Sequence, residues 1–501
     1  MRSERREIAV GYLVVLVASL LLYGVSCAPG LLWQDSGMIQ YRVWNNDIEG
    51  NLGLALSHPL FYVLAIGAKY IPAGQFAHRI NLVSAAAAAV AIANLFLFIR
   101  LWLGRNFPAT VAAVTFGLSH TFWAHASIIE TYTLYIALFL AGLTMLLQYL
   151  RTGRRLYLYL FGLFEGLAIS DHMLASIPLL CYAVFLIVLL VKKDIRLRDI
   201  VVFAMFWVIG AGLYEYLIIK SLIQTGDIAG TLASAVFGHS YRSAVLNTSL
   251  SARLLKEDFL YILLNFPTPN ILLFFVGCFA LFKLPFNPRL RNIVFGLLIL
   301  FLLFAFRYTV VDRYAFFIPF YCVVSVFVGI GVHSLEPFLR HRSLELLVLV
   351  FAALPFGVYL AAPALAEKVG LQIGTKRQID YRNDYEYFLR PWKTDYGGAE
   401  RFAVEALERV EQNGAIYADS TTAYPLLCMQ QVRQMRRDIK IVSSRDSSKG
   451  APVLNENTAA GLIANSALYV VSPVKGYCLP FLFDNYNFVQ AGVLWRVVER
   501  K

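Results

Sequence analysis

Apolar runs of about 20 residues recur along most of this chain, separated by short polar or basic turns. That length suits helices crossing a hydrocarbon layer of roughly 30 Å, not strands. The runs predict helices near residues 8–28, 77–100, 107–122, 131–150, 156–170, 173–191, 200–222, 258–282, 292–306, 314–333 and 343–362. Residues 58–72, HPLFYVLAIGAKYIP, form a shorter run that reads as a juxtamembrane helix. The run after MRSERRE would suit a cleaved leader, but the many later runs make it a retained first helix.

From about residue 363 the pattern changes. AERFAVEALERVEQN has helical spacing, and AYPLLCMQQVRQMRRD reads as a second helix. AIYAD, IKIVSS, LYVVSP and VLWRVVER read as strands. Strands alternating with helices predict a small α/β domain with a partly parallel sheet over 363–501, after an all-α membrane domain over 1–362.

Composition agrees with the membrane reading: 58% of the 501 residues are hydrophobic, against roughly 45–50% in soluble domains. The net charge of +12 could suggest nucleic acid. The basic residues instead sit on alternate turns: Arg5 and Arg6; Arg100 and Arg105; Arg151, Arg154 and Arg155; Lys192, Lys193, Arg196 and Arg198; Lys283, Arg289 and Arg291; Arg340 and Arg342. That is the positive-inside pattern. It predicts a cytoplasmic N-terminus and an extracytoplasmic C-terminal domain, in what the short inner loops suggest is a prokaryotic plasma membrane. None of the six cysteines forms a CxxC; Cys428 and Cys478 share the polar C-terminal part, where a disulfide between them requires an extracytoplasmic location and a distance that sequence does not set. There is no GxGxxG and no Walker loop.

The residues able to do chemistry fall on the other set of loops. They are Asp35, His58, Glu130, Asp171 and His172, then His239, Tyr241 and Arg242, then Arg307, Asp312 and Arg313. Each has a structural reading: Asp35 and Glu130 as helix caps, His58 as the residue before a helix-opening Pro59, Asp312 and Arg313 as a local ion pair. Glu165 and Glu215 lie within apolar helices, where a carboxylate is costly unless it faces protein. Asp419, ending a strand in YADSTTAYP, is either at a ligand site or the cap of the next helix. The convergence of acids, histidines and arginines on one side favours a site: acid–base work needs a carboxylate near a hydroxyl, and a phosphate needs cations or N–H donors.

PGLLWQDSGMIQ…SHPLFYVL, HASIIETYTLYIALF, GLAISDHML and VVDRYAFFIPFY, in that order, resemble a family of multi-pass proteins over about residues 8–330. The family includes the eukaryotic endoplasmic-reticulum O-mannosyltransferase of plexin-type receptor domains. It lies within the GT-C glycosyltransferases, which use polyprenyl-phosphate-linked sugars. The resemblance implies an inverting transfer of a mannose-like sugar to a hydroxyl of a protein Ser/Thr, a glycan or a lipid. It puts Asp35 in the place of the catalytic carboxylate and Glu130 in that of a second acid. His58-Pro59 fills the slot of a Lys-Pro-Pro, with one Pro and no Lys. Asp171-His172 matches an Asn-His-like pair, and Arg313 a late-loop cation for the lipid phosphate; Arg242 is a further candidate for that phosphate. No cofactor is required, although relatives with pyrophosphate donors need a metal, which Asp35 and Glu130 could hold. The alternative is a multi-pass transporter or lipid flippase, for which inverted repeats are expected and none is seen.

Overall fold

The computed structural model describes residues 2–339, 341–374, 377–443 and 451–500. Arg340 and Ser444, the last residue of the expected strand IKIVSS, lie outside them. The helices of the bundle run in order as α1 (Arg2–Ser26), α2 (Gln34–Trp44), α3 (Pro59–Lys69), α4 (Phe76–Leu103), α5 (Asn106–Gly117), α6 (His120–Ser127), α7 (Tyr132–Thr152), α8 (Arg155–Asp171) and α9 (Leu179–Val191). They continue as α10 (Leu197–Thr225), α11 (Ile228–Phe237), α12 (Arg242–Val245), α13 (Ala252–Asn265), α14 (Leu272–Lys283), α15 (Pro288–Arg307), α16 (Ile318–Leu335), α17 (Arg342–Ala353) and α18 (Pro355–Lys368).

Among the described residues, eight helical stretches are long and apolar enough to cross a membrane. The expected single helix over 258–282 is instead two, α13 and α14, bent by 110° at a short break. Pro267 and Pro269 explain the break: neither has an N–H to continue the ladder. Counted as one span, the bent pair makes a ninth. The 12-residue α5 and 17-residue α8 lie where spans were expected but are shorter. α3 is the short helix expected at 58–72.

Close helix contacts rest on glycine. Gly162 and Gly166 of α8 face α10, and a Cβ at Gly166 would come within 2.0 Å of the Trp207 carbonyl oxygen. Gly210 of α10 answers them: a Cβ there would lie 2.3 Å from the Leu163 carbonyl oxygen. This is the small-xxx-small packing of helices in lipid, where close backbone approach replaces hydrophobic driving force.

The chain's basic turns gather at one end of the bundle. Arg100 approaches Glu7 at 3.7 Å, Arg151 donates to the Leu101 carbonyl at 2.9 Å, Arg105 approaches Glu336 at 3.8 Å, and Arg289 pairs with Asp194. The loops carrying the candidate chemistry lie at the other end, under the C-terminal layer.

That layer contains α19 (Asp384–Leu389), α20 (Gly398–Arg409), α21 (Ala423–Val432), α22 (Glu456–Asn465) and α23 (Pro480–Asn485). Its sheet has β1 (Ala415–Tyr417), β2 (Lys440–Val442), β3 (Leu468–Val470), β4 (Tyr486–Ala491) and β5 (Leu494–Glu499), in the order β2-β1-β3-β5-β4. β1 pairs parallel with β2 and β3, and β5 pairs antiparallel with β3 and β4. Four strands match expectation; β4, reached from β5 through a tight turn at Gly492, was not anticipated. Its residues alternate between half-buried and exposed from Tyr486 to Val489, but none is fully buried, so it lacks the apolar face that marks a core strand.

Alternation along β1 divides the layer into two cores. Ile416 faces a core that takes in Leu32, Trp33, Ile39 and Phe61 from the first loop with Phe402 and Leu426; Ala415 and Tyr417 face the opposite one. The Cys428–Cys478 disulfide does not form: both are free thiols, Cys428 in the first core and Cys478 in the second.

Candidate active site

α2 starts two residues earlier than a capping role for Asp35 would need. Trp33 occupies the cap position without a side-chain bond, and Asp35 lies in the first turn. Gln34, just before it, has φ of +52°, a left-handed backbone that costs a non-glycine residue roughly 1–3 kcal/mol. Asp35 is therefore not the helix cap. It makes no hydrogen bond or ion pair with any described residue.

The Asp35 side chain is open to solvent, yet protein surrounds it closely enough for burial to be the main force raising its pKa. It therefore faces a recess and not bulk water. The negative charge of Asp312 pushes in the same direction. Glu130 is raised as well, first by burial and then by Asp35, while a hydrogen bond from Ser36 opposes. That bond, Ser36 Oγ to Glu130 Oε1, is 2.9 Å long. The Glu130 backbone is clamped to α4: its N–H donates to Ser84 Oγ at 2.8 Å, and Ser84 Oγ donates back to its carbonyl at 2.8 Å. Asp312 is raised by burial. Three carboxyl groups from three loops thus share one recess, and like charges in a dry place hold protons more tightly. Among the described residues, no group of three or more His, Cys, Asp or Glu side chains is arranged to hold a metal ion.

An aromatic and imidazole wall lies beside the acids. The His58 and His172 rings are 4.7 Å apart, His172 and Tyr132 4.9 Å, Tyr132 and His125 5.1 Å, His125 and Tyr314 5.9 Å. His58 Nδ1 lies 2.7 Å from the Asp171 carbonyl, which can only accept, so Nδ1 carries the proton. His172 Nδ1 accepts from the Leu174 N–H at 3.1 Å, so its proton is on Nε2. Burial lowers both pKa values, His58 to about 4, leaving both rings neutral at pH 7. His58 thus offers an acceptor at Nε2 and His172 a donor. His58 is itself left-handed, with φ of +51°.

The structure brings together Asp35 with Glu130, and His58 with Asp171 and His172. It does not bring Arg313 or Arg242 to them. Arg313 is buried in an ion pair with Asp258 of α13, not with Asp312 as considered from sequence. Arg242 is exposed at the start of α12, over the Phe237 ring. A cation whose charge is felt at His58 is one the sequence reading passed over. Arg42 of α2 is buried, lies 3.6 Å over the Tyr62 ring, donates to the Ser57 carbonyl at 3.1 Å and adds to the lowering of the His58 pKa. Its signal was an arginine on the buried face of a short helix. Lys393 is a second overlooked cation: it is buried, and its amino group, pushed down to about 7, lies 5.4 Å over Tyr387.

A bundle of apolar helices under a small C-terminal α/β layer is also the arrangement of solved membrane proteins. ArnT from Cupriavidus metallidurans in the apo state has a similar fold, with a TM-score of 0.64 at 14% identity over 98% of each chain. The same ArnT bound to undecaprenyl phosphate matches equally, at 0.64 and 14% over 98% of each chain. The Archaeoglobus fulgidus oligosaccharyltransferase in the apo form gives 0.48 at 14%, over 92% of this chain and 69% of that one. Residues 57–197, which take in SHPLFYVL, HASIIETYTLYIALF and GLAISDHML, match the family model described as the Protein O-mannosyl-transferase TMEM260 N-terminal domain. No curated protein matches the chain in sequence. Family domain and fold together support a membrane glycosyltransferase.

Proposed function

We propose that this protein moves a mannose-like sugar from a polyprenyl-phosphate donor to a hydroxyl of a protein Ser/Thr, a glycan or a lipid, by inverting displacement. One observation carries the reading: an unbonded carboxylate, Asp35, faces a recess shared with Glu130 and Asp312, beside a pair of neutral histidines. The acceptor hydroxyl attacks the anomeric carbon; Asp35 takes the hydroxyl proton; the bond from that carbon to the phosphate oxygen breaks, and its electrons leave with polyprenyl phosphate. The nearby carboxylates favour the oxocarbenium-like charge that develops on the sugar. The Nε2–H of His172 suits the leaving phosphate, and Arg42, 3.8 Å from Asp47 through its Nε, is more loosely paired than buried Arg313. Arg313 does not suit that phosphate, because Asp258 already neutralises it. The basic end of the bundle then faces the cytoplasm, and the recess and C-terminal layer face outward.

The test is transfer by purified protein in detergent from radiolabelled polyprenyl-phosphate-mannose and polyprenyl-phosphate-glucose, for wild type and Asp35→Asn. Transfer or slow donor hydrolysis that vanishes in the variant supports the reading. Full activity in the variant moves the base elsewhere, and an absence of donor binding and turnover in the wild type rejects the enzyme.

A further inference from the structure

The turn that presents Asp35 is held from outside the membrane bundle. The Gln34 N–H, at its left-handed residue, donates to the Thr421 carbonyl at 3.2 Å. Thr421 lies between β1 and α21, at the carboxyl end of a parallel strand. Its own N–H donates to Asp419 Oδ1 at 2.8 Å, and the Thr422 and Ala423 N–H groups donate to the Asp419 carbonyl at 3.0 and 2.9 Å. Asp419 Oδ2 in turn pairs with buried Arg377 at 2.5 Å, and Arg377 lies 4.6 Å over the Tyr477 ring. The next turn of α2 presses on α21 directly: a Cβ at Gly37 would meet Leu32 O at 2.4 Å and Tyr424 Cβ at 3.3 Å. Cys428 Sγ points its weak donor at the Gly37 carbonyl, 3.8 Å away.

A left-handed non-glycine residue persists only where its surroundings over-determine it. Here Trp33, one residue before, is held against Phe402 and Tyr396, and the Gln34 N–H itself is held by the Thr421 carbonyl, whose turn Asp419 fixes. We infer that Asp419 and Arg377 are positioning residues for Asp35: they set the Thr421 carbonyl, which holds Gln34 left-handed and directs the Asp35 carboxylate into the recess. Asp419 is thus neither a ligand group nor merely a cap. Its place at the end of a strand serves a site built on another part of the chain.

The inference rests on Asp35 as the base, and its test separates the two. Full-length Asp419→Ala and Arg377→Gln, in detergent with polyprenyl-phosphate-mannose, are expected to lower kcat about 10- to 100-fold, the scale of a misplaced reacting group. The KM for donor should change little. Glycine adopts positive φ about as readily as negative, so Gln34→Gly added to Asp419→Ala is expected to restore kcat to within about threefold of wild type. Arg496→Gln, which breaks an exposed pair with Glu411 in the same layer, should leave kcat unchanged. Wild-type kcat in Asp419→Ala overturns the inference. So does a joint loss of donor binding and kcat that Gln34→Gly does not restore, since that marks a general loosening of the layer. Wild-type turnover by Asp35→Asn overturns the function itself, whatever Asp419 does.

Discussion

The two ends of the helix bundle handle charge in opposite ways. At the basic end, Arg289 and Asp194, Arg155 and Asp199, and Arg105 and Glu336 meet in pairs with at least one exposed or half-exposed partner. Such pairs are worth about 0–1 kcal/mol. At the other end, Asp35, Glu130 and Asp312 share a recess with no cation bonded to them among the described residues; burial raises all three, and repulsion from neighbouring acids adds to the rise of Asp35 and Glu130. Charge at the basic end pairs off, whereas the three acids stay unpaired where the fold disfavours their ionised form, which is the pattern of a functional site.

The sharpest way to break this contrast is Asp35→Asn. Loss of a general base should cut transfer from polyprenyl-phosphate-mannose about 10²–10⁴-fold, measured at saturating donor. Next is Arg313→Met, which strands the fully buried Asp258 carboxylate. The expected cost is about 3–5 kcal/mol in thermal stability, most of it recovered in the double variant Arg313→Met/Asp258→Leu. If the single variant kept its stability but lost donor affinity, Arg313 would be a phosphate ligand after all. His172→Ala removes one donor to a charged group, worth roughly 1.5–3 kcal/mol, so kcat/KM for donor should fall about 10- to 100-fold.

A smaller effect probes repulsion within the acid cluster. Turnover needs Asp35 ionised, so the rate falls as pH drops through its raised pKa. Asp312→Asn removes a neighbouring negative charge and lowers that pKa, so the acid limb of the pH–rate profile should move to lower pH. An unmoved limb would assign it to another group. Smallest of all, Asp194→Asn at the basic end should change stability by under about 1 kcal/mol and leave turnover alone, read by melting temperature and transfer assay.

Much of the architecture was legible because lipid imposes a strong period: apolar length located the helices, and short length marked α3 as non-spanning. The bend between α13 and α14 was signalled by NFPTPN, but periodicity weighs the apolar residues on both sides and averages over a proline break. The candidate acids and the His58, Asp171 and His172 group were found by residue type and loop position. Arg313 was misread because its partner, Asp258, lies 55 positions earlier on a helix that pattern alone treats as lipid-facing. Arg42 was missed because a cation in a short amphipathic helix resembles a solvated one until Tyr62 is seen beneath it. The role of Asp419 was invisible for the same reason: its contact with the first loop is a matter of tertiary packing.

That packing also sets a timetable. The contact between Gly37 and Cys428 joins residues 391 positions apart. A ribosome adding roughly 5–20 residues per second needs on the order of 20–80 s to cover that interval. Until then the first loop has no carbonyl to hold its turn and no second wall for Trp33. The helices of the first 368 residues can therefore be made while the Asp35 carboxylate stays unaimed, and the turn that carries it is completed only when residues 419–428 have been added.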